Sequence, residues 1–116
     1  MDYNERLELL QTVVDESDSQ YVGRLNMIKK MAKQYEHDAT ARSILDEALA
    51  FAHRIGSVTS EELAIFNESF ISPKDGPRRI SERHYMSSRT VFRIQARVFE
   101  RLLPIVFGID GIKFQA

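Results

Sequence analysis

Apolar residues recur along this chain at spacings of three and four, and no stretch alternates in the manner of a half-buried strand, so the pattern predicts helices throughout. Asp2 can cap a first helix in which Tyr3, Leu7, Leu10 and Val14 share one face with heptad-like spacing. The polar run Asp15-Glu16-Ser17-Asp18-Ser19 reads as a break. A second helix, from about Ser19 to near His37, has Val22, Leu25, Ile28, Met31, Ala32 and Tyr35 on its inner side and Lys29, Lys30 and Lys33 largely outside. The third, Asp38 to Ile55, is the most regular: Ala41, Ile44, Leu45, Ala48, Phe51, Ala52 and Ile55 form a broad apolar face, and Gly56 stops it. Thr59 and Glu62 have capping-box spacing at the start of a fourth helix with Leu63, Phe66 and Phe70 inward. Ser72 to Pro77, with two prolines and a glycine in six residues, is a loop.

From Ile80 to Val91 the spacing is that of a helix-turn-helix. Ile80 opens a short helix on the core side, Ser81 is small enough for a neighbouring helix to approach, Met86 anchors the corner, and the Ser87 hydroxyl caps the helix that follows. Glycine is the usual corner residue, and Tyr85 stands there instead. An aromatic at positive φ is costly, so the expectation is a turn of another geometry. In the last helix Val91, Ile94, Val98 and Leu102 make one apolar stripe, while Arg89, Arg93, Arg97 and Arg101 repeat every four residues as a nearly straight cationic row. Such a row suits phosphates, and an arginine near the helix start can grip guanine through two hydrogen bonds. The ordinary alternative is a solvated amphipathic face, with Arg97 paired to Glu100 or Arg101 to a neighbouring acid. Pro104 predicts a kink or an early end. Beyond it Ile105, Val106, Phe107, Ile109, Ile112 and Phe114 are apolar enough to require packing on the body or on a second subunit.

The net charge of −1 hides a strong polarity. Residues 73–101 hold eight basic side chains against three acidic ones, a net +5, whereas residues 1–72 carry a net −6. A nucleic acid would draw the C-terminal part inward and repel the N-terminal part. Lys74, Arg78 and Arg79 lie in or just after the loop, where they reach phosphates if that loop sits beside a duplex. They are solvated charges on a joint otherwise.

The run from Ile80 to Leu102 resembles the C-terminal promoter-reading domain of bacterial sigma factors, and more closely phage transcription activators of the ArpU and RinA type. The matching residues are Ile80-Ser81-Glu82, Met86-Ser87 and Thr90-Val91-Phe92-Arg93, and the tail from Leu102 to Ile109 is also similar. The resemblance covers about the last forty residues and little of the first seventy. It implies an all-α fold: a small helical bundle with a C-terminal helix-turn-helix like the sigma promoter-reading domain. It implies base and phosphate contacts at Ser88, Arg89, Phe92 and Arg93, to which the cap residue Ser87, Thr90 and Arg97 are added from the helix geometry. Phe92 departs from the polar residue common at its position; it either touches a thymine methyl or packs on a neighbouring helix.

Two regions follow: residues 1–56, an acidic helical region for oligomerisation or protein contact, and residues 57–116, the helix-turn-helix region. With 116 residues the chain can bury a real core, and with no cysteine it has neither disulfide nor thiolate zinc site. No apolar run is long enough for a bilayer and the start is unlike a signal peptide, so the expected location is the cytoplasm of a bacterial host. The histidines His37, His53 and His84 form no triad or zinc motif, the pairs Asp46-Glu47 and Glu61-Glu62 diverge on their helices, and no glycine-rich phosphate loop occurs. The reading is therefore not an enzyme, without cofactor or metal, but a sequence-specific transcription regulator of phage or prophage type. Its expected partners are double-stranded DNA, RNA polymerase and a second copy of itself, with no membrane. The alternative is a protein-binding module, an anti-sigma or polymerase-binding factor, using a sigma-like fold without DNA readout.

Overall fold

A computed structural model describes residues 3–71 and 75–108, with the backbone alone for residues 3 and 6–19. The fold is all-α. Its described helices are α1 (Tyr3–Lys33), α2 (Ala39–Arg54), α3 (Ser60–Phe66), α4 (Pro77–Arg83) and α5 (Ser88–Phe107), and a π-helical turn, Asn67–Ile71, extends α3. None of them is long and apolar enough to cross a membrane.

The local signals account for most boundaries. Asp38 accepts hydrogen bonds from the N–H groups of Thr40 and Ala41 at the start of α2, and Gly56 takes up φ +79° just past its end. Thr59 and Glu62 form the full capping box of α3: the Thr59 hydroxyl accepts from Glu62 N–H, and the Glu62 carboxylate accepts from Thr59 N–H. The expected break at Asp15–Ser19 is absent, and α1 runs through it. Serine and aspartate weaken a helix by only about 0.5 kcal/mol each and remove no backbone donor, so the four of them around Glu16 do not stop one. Pro104 also lies inside its helix. α5 continues to Phe107, and the N–H of the capping residue Gly108 bonds to the Pro104 carbonyl.

One apolar cluster joins all the helices. Ile28 and Ala32 of α1, Leu45, Leu49 and Ala52 of α2, Ile65 and Phe66 of α3, and Ile80 of α4 surround Val91, Val98, Leu102 and Leu103 of α5. Phe66, Phe70 and Phe99 form a ring trio with centroids 5.0–5.2 Å apart, which places the π-helical turn directly on α5. Val58, in the short connection before α3, is fully buried. Ile105, Val106 and Phe107 pack on this same core. Several residues expected to face inward do not: Val22, Phe51 and Ile55 are 52%, 41% and 56% exposed, and Phe51 and Ile55 line an open cleft beside Pro104 and Ile105 of α5 instead of the packed core. Asp2 and the tail residues Ile109, Ile112 and Phe114 lie outside the described residues, as do the side chains of Tyr3, Leu7, Leu10 and Val14.

Candidate nucleic-acid interface

The four residues between α4 and α5 are His84, Tyr85, Met86 and Ser87. Met86 N–H bonds back to the Ser81 carbonyl at 3.0 Å, and the Met86 side chain packs on the core. Ile80 and Ser81 are buried, and the Ser81 hydroxyl donates to the Arg78 carbonyl, so α4 is held by its inner face. Tyr85 carries φ +56°. This corrects the expectation of a different turn: the corner takes the left-handed conformation despite its aromatic residue. A non-glycine residue there costs about 1–2 kcal/mol, and the anchors on either side, Ile80 below and Met86 above, hold it. The Tyr85 side chain is 96% exposed and gains nothing from burial.

A polar clamp fixes the same corner from the side. Glu68, in the π-helical turn, accepts hydrogen bonds from Arg83 and from the His84 ring through its two carboxylate oxygens. Arg83 also donates to Asp75 at 2.7 Å, and Asp75 N–H bonds to the Glu68 carbonyl at 2.8 Å. Burial pushes the Glu68 carboxyl upward, but the hydrogen bonds and charges of Arg83 and His84 outweigh it and hold Glu68 below the usual glutamate range. Nothing in the local sequence announces this clamp, whose side-chain pairs lie 8 to 16 residues apart.

Ser87 begins α5 as expected. Its hydroxyl accepts from Thr90 N–H at 3.1 Å and lies 2.9 Å from the Thr90 hydroxyl. Behind this cap, Arg89, Phe92 and Arg93 are exposed on the outer face, with Ser88 and Thr90 half-buried beside them. Neither Arg89 nor Arg93 has an ion-pair partner among the described residues. Phe92, 56% exposed, lies at the edge of a cleft with Phe70 and Phe99, so it partly packs and partly remains in solvent.

The other half of the cationic row turns toward the protein. Arg97 reaches Glu62 at 3.4 Å, and Arg101 reaches Glu62 at 3.0 Å and the Ser57 carbonyl at 2.6 Å. Their partner is the capping-box carboxylate of α3, not Glu100. Glu62 is only 6% exposed. Burial raises its pKa, but the Thr59 N–H, the Arg101 charge, the Thr59 hydroxyl and Arg97 together keep it lowered. The row is not straight, because four residues exceed a helical turn by about 40° and three such steps rotate by about 120°. Arg78 is largely exposed and 3.3 Å from Glu82, and Arg79 is exposed and 4.0 Å from Asp75; such surface pairs are weak and leave both cations accessible. Lys74 lies outside the described residues. Among the described residues no group of three or more His, Asp or Glu side chains is placed to hold a metal ion.

Comparisons with family models, curated proteins and solved structures give no match to this chain.

Proposed function

We propose that the chain binds double-stranded DNA and regulates transcription, with the first half of α5 in the major groove. The observation that carries this reading is the exposed pair Arg89 and Arg93, without an ion-pair partner among the described residues and set directly behind a capped and clamped corner. Fixing the corner spares the helix the entropy of ordering on contact, which favours readout by rigid donors. In this arrangement Arg89 and Arg93 meet base edges and phosphates. Ser87, Ser88 and Thr90 sit at the positive end of the helix, beside the backbone, and Arg78 and Arg79 approach phosphates from α4. Lys74 would extend that approach, and the exposed part of Phe92 suits a thymine methyl. The resemblance to phage activators adds RNA polymerase as partner of the acidic N-terminal region, self-association, and action inside a bacterial host.

Binding to duplexes selected from a random pool tests the reading. The parent should bind a defined sequence with affinity that falls steeply with salt. Arg89→Ala and Arg93→Ala should each cost about 1–3 kcal/mol of that binding, while folding is unchanged. Equal binding by parent and both variants would remove the recognition helix from the account. No duplex binding even at low salt would favour the protein-binding reading, for which the engagement of Arg97 and Arg101 by Glu62 already speaks, since it halves the free cationic row.

A further inference from the structure

We propose that the duplex contact extends onto α1, where Lys29 and Lys33 bind the phosphate backbone beside the recognition helix. This deepens the DNA-binding reading and rests on it. The two lysines line a cleft of about 300 Å³ whose other walls include Phe70, Phe92, Ala96 and Phe99. Phe92 and Ala96 belong to the face of α5 that also carries Arg89 and Arg93, at spacings of three and four. The end of α1 thus flanks the same surface, although it lies in the half of the sequence whose net charge is −6.

Three features favour a polyanion there. Lys29 and Lys33 are exposed, and neither is paired with a carboxylate among the described residues. Among the described residues no acidic side chain lines the cleft, so an approaching phosphate meets no like charge at these walls. The aromatic walls give the lysine stems an apolar surface to lie along while the ammonium groups remain in water. The two positions are one helical turn apart, roughly 5–6 Å between their Cβ atoms, so they present two charges along one line. The packing of Ile28 and Ala32 into the core fixes the register of α1 and keeps both lysines beside α5.

The test is the salt dependence of binding to the duplex selected by the full chain. Removing two phosphate contacts should lower the slope of log affinity against log salt by about 1.8, and lower affinity without changing the preferred sequence. Lys29→Gln with Lys33→Gln should do both, and Lys29→Arg with Lys33→Arg should keep the parent slope. Circular dichroism guards against unfolding; these exposed positions should leave the helical signal unchanged. An unchanged slope in the glutamine variant would overturn this inference alone, leaving Arg89 and Arg93 as the contact. A changed sequence preference would also overturn it, because backbone contacts carry no direct base information. A parent that binds no duplex would remove both readings together.

Discussion

In the first half of α5, Arg89 and Arg93 are exposed to solvent and have no carboxylate partner among the described residues; in the second, Arg97 and Arg101 continue the same spacing and converge on Glu62. The side chains are chemically identical, and the difference comes from what lies alongside. The first half follows a corner, and its outer face is left open. The second half lies against the start of α3, where a capping carboxylate is already held by Thr59 and needs further positive charge to offset its burial. A cationic row therefore divides into a solvent-facing half and a structural half, and neighbouring elements decide where the division falls.

The largest expected contrast is between the two faces of this helix. Leu102 is fully buried, and Leu102→Ala should lower the free energy of unfolding in urea by about 3–5 kcal/mol. Phe92→Ala, on the open face, should stay within about 0.5 kcal/mol of the parent. Comparable losses from both would mean that the outer face is not open.

Glu62→Gln probes the structural half. The variant retains the size of the side chain but weakens the cap and leaves two arginines without their counter-charge, for an expected loss of about 2 kcal/mol. The pH response follows from the same group. Because Glu62 and Glu68 titrate below the ordinary glutamate value when folded, their stabilisation is complete above that value and disappears as the pH falls through it toward the folded one. Acid unfolding of Glu62→Gln should accordingly show a shallower loss of stability over that window. A steeper loss than the parent's would contradict the ion-pair assignment.

The smallest effect is at the corner. Tyr85→Gly relieves the left-handed strain but frees the unfolded chain, so a net gain of up to about 1 kcal/mol in thermal or urea unfolding is expected. A clear loss would show that the tyrosine ring is supported by contacts that its 96% exposure denies.

Much of the fold was legible because it is encoded locally. Asp38, Gly56, Thr59 with Glu62, and Ser87 each act on backbone groups within three or four residues, and each stands where the spacing predicts. No break falls at Asp15–Ser19 because the low propensity of serine and aspartate is a small cost that a continuous helix can carry, and α5 does not end at Pro104 because the packing of Leu102, Leu103, Ile105 and Val106 on the core outweighs the larger penalty of a proline. Val22, Phe51 and Ile55 fit the inward spacing yet stay exposed, because a broad apolar face contains more candidates than the neighbouring helices cover. At the corner, the identity of Tyr85 argued against the conformation that it adopts, since local preference yielded to anchors at Ile80 and Met86. For the candidate interface, helix period identified Arg89, Arg93 and the Ser87 cap. It could not reveal that Lys29 and Lys33 border the same surface.

From its residues alone the chain specifies helices, their caps and the outward arginine spacing, since these depend on hydrogen bonds and periodicity over one or two turns. Assembly decided which cations remain free, how a tyrosine came to hold a left-handed corner, and where the acidic half contributes positive charge. Those outcomes depend on packing between elements, as in Asp75 with Arg83, 8 residues apart, and Glu62 with Arg101, 39 residues apart, and helix period carries no information on it.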